Sequence, residues 1–242
     1  NPEEFWTLTV NFQDNKKNSI SASISQLDGN KVEKFSFRNK AGIDKAIESI
    51  KDKKFDITDI TSKVVNRNPS GPFTTSTLQQ VASSRLGFGA SRTMQIAQRL
   101  YQGIEIDGET IGLITYMRTD GTNLSADAIT DFRDYIKSEF GKEYLPVNPL
   151  NYSGKKAKNA QEAHEAIRPT DISRSPETVK KYLSSDQQKL YNLIWSRALS
   201  SQMETAKFDR STITITSKDG DTICKTSGSV LKFDGYLKVF PS

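Results

Sequence analysis

Apolar and polar residues alternate at both ends of the chain, and this two-residue period is typical of β-strands. A short helix is predicted over 41–51, where Ile43, Ala46, Ile47 and Ile50 recur at helical spacing and form its apolar face. The apolar positions of the predicted strands are Trp6, Leu8 and Val10; Ile20, Ala22 and Ile24; Val32, Phe35 and Phe37; Phe55, Ile57 and Ile60; and, near the carboxyl end, Ile213, Ile215, Ile223, Val230, Leu231, Phe233, Tyr236 and Val239.

The middle of the chain changes to helical spacing after the Pro- and Gly-rich stretch 68–72. We expect the first helix to begin at Ser76, whose side chain can cap it while Gln79 reaches back. Residues 86–89, Leu-Gly-Phe-Gly, predict a tight turn like that of a helix-turn-helix unit, although such corners pack domains more often than they read DNA. The predicted helices cover 76–87, 91–103, 125–140 and 185–203. The apolar face of the second carries Met94, Ala97, Leu100 and Tyr101, and that of the last carries Leu190, Leu193, Ile194 and Trp195.

These two patterns together predict an α+β protein with two domains. The simplest arrangement pairs strands from both chain ends in one β-rich domain, made of residues 1–67 and 205–242. Residues 68–204 would then form an inserted, mainly helical domain. A chain of 242 residues is long enough to bury a core in each domain.

Composition adds a few constraints. Hydrophobic residues make up 35% of the chain, and no apolar run approaches the roughly 18 residues that span a bilayer, so we expect no membrane partner. The net charge of +5 is compatible with a polyanionic partner. The single cysteine, Cys224, lies in a strand-like context, where we expect it to be buried, and is typical of a reducing cytoplasm. Asn1 is not an initiator methionine, which favours a piece of a longer protein.

The first candidate for chemistry is the segment 112–120, Gly-Leu-Ile-Thr-Tyr-Met-Arg-Thr-Asp. Its alternating polarity predicts an extended segment in which Tyr116, Arg118 and Asp120 point the same way. A free tyrosine hydroxyl, with a pKa near 10, is only about one part in a thousand ionised at neutral pH, and a nearby guanidinium favours the ionised form. A guanidinium also grips phosphate. The pair suits attack on a phosphodiester, but spacing alone favours an Arg118–Asp120 ion pair on a sheet surface beside a half-buried tyrosine.

The second candidate is the segment 159–169, Asn-Ala-Gln-Glu-Ala-His-Glu-Ala-Ile-Arg-Pro. An Asn cap, Glu162 three residues later and a terminal proline predict a short helix. In that helix His164 and Arg168 would lie near one face. His164 is the only histidine, so it cannot belong to a multi-histidine metal site within this chain. Taken alone, it fits a surface or core position more often than a catalytic one.

Both segments resemble motifs of the bacterial type IA DNA topoisomerases. Residues 113–120, with the following Thr-Asn-Leu-Ser at 122–125, are similar to the active-site segment of that family. Residues 159–169 resemble its second active-site motif. The similarity extends over 72–80, 85–89 and 233–236, so it spans most of the chain. The residues of these motifs are most similar to those of topoisomerase I.

The resemblance assigns roles to particular side chains. It implies that Tyr116 is the DNA-linking tyrosine and that Arg118 contacts the phosphate. His164 would lie beside the scissile phosphate, and Arg168 would support the site. Thr115, Asp120 and Glu162 are further supporting candidates.

The resemblance also implies an architecture and an activity. In this family a movable, mainly helical domain carries the tyrosine, and a β-rich hinge domain joins it to the rest of a ring through which DNA passes. The implied reaction is transient cleavage of single-stranded or negatively supercoiled DNA through a 5′-phosphotyrosine link, followed by strand passage and religation without ATP. The implied partners are DNA and the remaining domains of the same enzyme, and we expect a cytoplasmic, nucleoid-associated monomer.

The family's Mg²⁺ is held by acidic residues of a separate amino-terminal domain, which this chain does not resemble. We therefore expect no metal site here and no activity from the chain alone. The nearest candidate for an acidic metal site is the set Glu105, Asp107 and Glu109. However, Asp107-Gly108 lies between two segments of alternating polarity, which predicts a hairpin with solvated carboxylates. A Gly-rich phosphate loop followed by Lys-Ser or Lys-Thr is absent from the sequence, so nucleotide hydrolysis has no support.

Three alternatives stay open. A non-catalytic DNA-binding module would explain the charge and the helical turn but not the two motifs. A tyrosine recombinase also links DNA to tyrosine, but it usually places its tyrosine after the histidine and arginines, whereas Tyr116 precedes His164 here. A topoisomerase III or a reverse gyrase would share the same motifs.

Overall fold

The computed structural model describes residues 3–152 and 164–241, and it confirms a mixed helix-and-sheet protein. Its elements, in chain order, are β1 (Thr9–Gln13), β2 (Ser19–Leu27), β3 (Asn30–Lys31), α1 (Lys40–Ile50), β4 (Phe55–Arg67), α2 (Thr75–Leu86), α3 (Ala90–Gln102), β5 (Ile104–Ile106), β6 (Glu109–Ile111), α4 (Ala126–Glu139), α5 (Pro176–Val179), α6 (Ser185–Ser200), β7 (Ala206–Ser217) and β8 (Ile223–Phe233). Short 3-10 turns cover Lys142–Tyr144, Lys180–Tyr182 and Gly235–Lys238.

The chain divides into two compact units. One, the sheet unit, contains Asn1–Val65 and Phe208–Lys232. The other, the helical unit, contains Asn66–Lys207 and Phe233–Ser242. The last residues thus group with the helices, although their sequence pattern assigns 205–242 to the β-rich part.

Strands from both ends of the chain form the main sheet. Its order is β1-β2-β8-β7-β4, with β3 paired to β2. β2 runs antiparallel to β1 and to β8, so that Ala22 lies opposite Val10 and Ile24 opposite Cys224. Cys224 is buried in this sheet, as predicted, and burial raises the pKa of its thiol to about 11.

Helix α1 completes the core of the sheet unit. The Asn39 side chain caps it by accepting a hydrogen bond from the Gly42 N–H. Ile43, Ala46 and Ile50 are buried against the sheet residues, whereas Ile47 is exposed, contrary to its predicted place on the apolar face.

Two predicted strand segments are not strands. After β3, the Ser36 N–H donates to the Glu33 carbonyl and the Ser36 hydroxyl accepts from the Glu33 N–H, so the chain turns instead of extending. After β8, Tyr236 lies in a 3-10 turn, and the Tyr236 N–H donates to the Glu204 carbonyl. Gly235 makes this possible, because it has φ +50° and a Cβ there would lie 2.4 Å from the Glu204 oxygen.

The helical unit begins with two helices joined by a tight turn. α2 is capped by Thr74, which forms a capping box with Thr77, and the prediction of a cap at Ser76 was wrong. Gly87, at φ +68°, ends α2, and Gly89 is the N-cap of α3, which agrees with the predicted turn. None of the helices in the described parts of the chain is long and apolar enough to cross a membrane.

The remaining helices enclose the core of this unit. α4 begins after a Ser125 cap, as predicted. α6 begins after Ser184, which forms a capping box with Gln187. The predicted apolar face of α6 is fully or nearly buried, and its members are Leu190, Leu193, Ile194 and Trp195.

A partly buried ammonium group joins three carboxylates in the sheet unit. Lys53 Nζ lies 3.1 Å from Asp28 Oδ1, 3.1 Å from Asp219 Oδ2 and 2.5 Å from Asp221 Oδ1. The ion pair with Asp221 is the main cause that raises the pKa of Lys53. Hydrogen bonds from Ser217 and then from Lys53 hold the pKa of Asp219 well below its ordinary 3.8. The turn after β7 is thereby fastened to the segment between α1 and β4.

Replacement of Lys53 by Met is expected to lower the free energy of unfolding, because the carboxylates would then face one another without a cation. A carboxyl group whose folded pKa is lowered stabilises the fold above its unfolded pKa and loses that contribution as the pH falls through the folded value. The deficit of the variant should therefore be largest at neutral pH and should shrink below about 3.8. Urea unfolding across this pH range measures it.

The matched control is Lys31→Met, which removes an exposed ion pair with Glu33. Equal losses for the two variants, or a Lys53→Met deficit that does not change with pH, would contradict this account of the cluster.

Candidate active site around Tyr116

The segment that contains Tyr116 is extended but irregular. Ile114 forms an isolated antiparallel bridge with Pro169, and the chain bends at Met117 and Arg118. Met117 is fully buried, while Tyr116 on one side of it is 50% exposed and Arg118 on the other is exposed. Burial of Met117 therefore directs both polar side chains outward, and the exposed Asp120 continues the alternation.

Thr75, the first residue of α2, holds this bend. Its hydroxyl donates to the Met117 carbonyl at 2.7 Å and accepts from the Thr119 N–H at 2.8 Å. Its own N–H donates to the Thr119 carbonyl at 2.9 Å. The backbone on both sides of Arg118 is thus fixed to the start of a helix. Periodicity gave no signal for this role of Thr75.

Thr115 fastens the Tyr116 segment to the second motif. The Thr115 N–H donates to the Arg168 carbonyl at 2.9 Å, and the Arg168 N–H donates to Thr115 Oγ1 at 3.0 Å. Thr115 Oγ1 also donates to the Ala166 carbonyl at 2.8 Å. The structure therefore brings the two sequence motifs side by side.

The described part of the second motif is extended, so the predicted helix is wrong for residues 164–169. The Ala166 N–H donates to the Asn123 carbonyl and the Ile167 N–H donates to the Phe73 carbonyl, so these donors bond to neighbouring segments and not along a helix. Pro169 also disfavours helical geometry at the residue before it. Residues 159–163, including the candidate Glu162, lie outside the described residues.

Arg168 is engaged in a partly buried ion pair. Its Nε and Nη2 donate to the two carboxylate oxygens of Glu165, at 2.6 and 3.2 Å, and its Nη1 donates to the Pro169 carbonyl. The Ser125 N–H, at the start of α4, donates to the same carboxylate at 2.8 Å. Burial raises the pKa of Glu165, but these hydrogen bonds and the Arg168 charge outweigh it and leave the pKa below its ordinary value. Arg168 thus braces the motif; sequence reasoning missed Glu165.

The loop after Tyr116 lies directly on the backbone of His164. A Cβ on Gly121 would lie 1.7 Å from the His164 carbonyl oxygen, a distance that no side chain tolerates. The His164 side chain itself is exposed. Glycine at position 121 is therefore needed for the close approach of the loop to the histidine segment.

An aromatic neighbour flanks the Tyr116 ring. Tyr101, near the end of α3, packs edge-on against it with ring centroids 5.3 Å apart and an interplanar angle of 62°. The Leu113 N–H donates to the Leu100 carbonyl at 2.8 Å, and a Cβ on Gly112 would lie 2.7 Å from the Tyr101 carbonyl oxygen. The end of α3 and the Tyr116 segment are thus closely packed. Sequence reasoning placed Tyr101 only on an apolar helix face.

Within residues 3–152 and 164–241, Arg118 forms no ion pair with Asp120 or with another carboxylate. The alternative of an Arg118–Asp120 surface pair therefore has no support in the described structure. A guanidinium that is exposed beside an exposed phenol can bind an anion there.

The acidic residues between α3 and Tyr116 belong to a hairpin. Asp107 and Gly108 have φ of +52° and +89° and form the turn between β5 and β6, as predicted. Asp107 accepts a hydrogen bond from the Tyr182 hydroxyl, and Glu105 accepts one from Thr110. In the described parts of the chain, no three His, Cys, Asp or Glu side chains form a group that could hold a metal ion.

Comparisons with known proteins agree on one family. A family model described as DNA topoisomerase matches residues 1–242. DNA topoisomerase 1 of Rickettsia typhi is 44% identical over 238 residues, which are 98% of this chain and 30% of that protein. DNA topoisomerase 1 of Haemophilus influenzae is 44% identical over 240 residues, which are 99% of this chain and 26% of that protein.

A solved structure gives the same result. Full-length topoisomerase I from Thermotoga maritima matches with a TM-score of 0.75 and 38% sequence identity, over 98% of this chain and 36% of that one. This chain therefore spans about a third or less of the length of these relatives. Since the family model covers the whole chain and the relatives match nearly all of it, the chain belongs to the DNA topoisomerase family.

Proposed function

We propose that this chain is the strand-cleaving and gate region of a bacterial type IA DNA topoisomerase. The observation that carries the proposal is the exposure of Tyr116 and Arg118 on either side of the buried Met117, beside the segment of His164. An exposed phenol and an exposed guanidinium two residues apart are the groups needed to attack and hold a phosphodiester.

The reaction we propose exchanges one phosphoester for another. The Tyr116 hydroxyl oxygen attacks the phosphorus of a single DNA strand and forms a bond to it, while the bond from phosphorus to the 3′ oxygen of the neighbouring nucleotide breaks. The tyrosine loses its proton and the departing 3′ oxygen gains one. The 5′-phosphotyrosine keeps the phosphoester bond that religation needs, so the cycle requires no ATP.

Each candidate residue has a proposed part in this reaction. Arg118 binds the phosphate and opposes the charge that develops on it. His164 donates a hydrogen bond or a proton at the same phosphate. Arg168 and Thr115 act as supports, because their hydrogen bonds join the two motifs. Asp120 is a further proposed support, and so is Glu162, which lies outside the described residues.

We propose that the helical unit, which carries Tyr116, is the moving gate and that the sheet unit is its hinge. The gate opens while the strand is linked to Tyr116, a second strand passes, and religation then relaxes negative supercoils. The long strands β4, β7 and β8 supply the connections between the two units, since the chain crosses between them near the ends of these strands.

The complete enzyme would supply what this chain lacks. We propose that Mg²⁺ is bound outside this chain and that the chain alone does not relax plasmid DNA. Its partners would be single-stranded or negatively supercoiled DNA and the remaining domains of the same enzyme, in a cytoplasmic, nucleoid-associated monomer. The name DNA topoisomerase 1 of the relatives favours this subfamily over a topoisomerase III or a reverse gyrase.

Replacement of Tyr116 by Phe in the full-length protein should abolish the covalent protein–DNA adduct, because only the attacking oxygen is removed. Noncovalent binding of single-stranded DNA should be nearly unchanged. Denaturing gels of labelled oligonucleotides measure the adduct, and end-labelling on either side of the break gives its polarity. An adduct that persists in this variant would remove Tyr116 from its role, and a 3′-phosphate link would favour a recombinase.

Replacement of Arg118 by Lys keeps the charge but loses the planar fork. We expect the barrier to cleavage to rise by about 1–3 kcal/mol. Single-turnover cleavage measures it, and Arg38→Lys, at an exposed position of the sheet unit, serves as the control. An unchanged cleavage rate would exclude phosphate binding by Arg118.

Replacement of Gly121 by Ala should push the loop away from His164. The overpacking is expected to destabilise the fold by about 1–3 kcal/mol and to slow both cleavage and religation. Gly228→Ala is the matched control, because a Cβ there meets nothing within 4 Å. Urea unfolding and adduct formation measure the two effects. Normal cleavage by the Gly121 variant would show that the proximity of the two motifs is not required.

A further inference from the structure

An open cleft of about 780 Å³ lies along one face of α3, within the helical unit. Arg118 forms part of its wall, so the cleft reaches the residue proposed to bind the scissile phosphate. Gln95, Gln98 and Gln102 line it at helical spacing, which places them in one row along α3. Gln79 from α2 lies in the same wall.

The lining has the chemistry of a nucleic-acid groove. Arg99 and Arg118 supply positive charge, and no carboxylate is among the described residues that line the cleft. Glutamine amides can both donate to and accept from base edges and can donate to phosphate oxygens. Such a polar, open surface does not fit an apolar peptide or a buried small molecule, which need apolar contacts.

An aromatic surface lies at the same end of α3. Tyr101, next to the lining residue Gln102, is 41% exposed and packs against the half-exposed ring of Tyr116. Proteins that bind single strands combine a positive groove with exposed rings on which bases stack. The cleft and this tyrosine pair provide both features within the helical unit.

We infer that the α3 cleft binds the part of the DNA strand that is linked to Tyr116 after cleavage. This inference rests on the proposed function. Once the strand is broken, the linked part is carried by the unit that contains Tyr116, and a groove on that same unit keeps its first nucleotides aligned for religation. The other part of the strand must be held elsewhere, or the break could not open.

The first test measures binding of a fluorescent oligothymidylate to the 242-residue chain by anisotropy. The variant Gln95→Glu/Gln102→Glu places two negative charges in the cleft, and we expect binding to weaken by about tenfold or more. The control Gln80→Glu/Ser84→Glu adds the same charges to exposed positions of α2 that do not line the cleft, and it should change binding far less. Equal weakening in both variants, or no weakening in either, would overturn the inference.

The second test locates the strand in the full-length protein. Oligonucleotides with a single 5-iodouracil on the tyrosine-linked side of the break are trapped as the adduct and irradiated. Peptide mapping should find the cross-link within residues 91–102. An adduct at Tyr116 with cross-links only elsewhere would refute the cleft but leave the proposed function intact. An adduct that forms without Tyr116 would refute the proposed function. The anisotropy test would still show whether the cleft binds DNA.

Discussion

The exchange of hydrogen bonds between Thr115 and Arg168 holds together the Tyr116 segment and the His164 segment, which lie far apart in the sequence. One threonine satisfies its own N–H, the N–H of Arg168 and a carbonyl of the second motif, so neither segment needs a regular sheet to be ordered. The Glu165–Arg168 pair then links the second motif to the start of α4. The Ile114–Pro169 bridge and the bond from the Ala166 N–H to the Asn123 carbonyl reinforce the same junction.

Exposure of the candidate nucleophile is a consequence of what is buried beside it. Met117 occupies the core of the helical unit, and Thr75 bonds the backbone on both sides of Arg118 to the start of α2. The side chains of Tyr116 and Arg118 are therefore exposed because of the backbone to which they are attached, and that backbone is fixed. A site of this kind is ordered before a ligand arrives, which lowers the entropic cost of binding.

Local patterns predicted most of the elements because α4, α6 and the β5–β6 hairpin are specified by caps, turns and periodicity within a few residues. The prediction failed where distant contacts decide. Residues 164–169 follow a predicted helix cap at Asn159 and have helical spacing, yet the N–H groups of Ala166 and Ile167 bond to Asn123 and Phe73, which no local pattern indicates. The proximity of His164 to Gly121 and the packing of Tyr101 on Tyr116 were equally invisible, since both depend on tertiary approach. The family motifs identified the candidate residues but not these neighbours.

The β5–β6 hairpin is closed at its base by the bond from the Leu113 N–H to the Leu100 carbonyl and by the pairing of Ile104 with Ile111. The hairpin between these points begins and ends at neighbouring positions. Relatives of this protein could therefore lengthen, shorten or decorate the hairpin tip, as hairpin tips generally permit, while the Tyr116 phenol stays where it is. The hairpin tip is thus a natural place for one lineage to differ from another, or for a reporter group to be inserted, a short distance from Tyr116 in sequence.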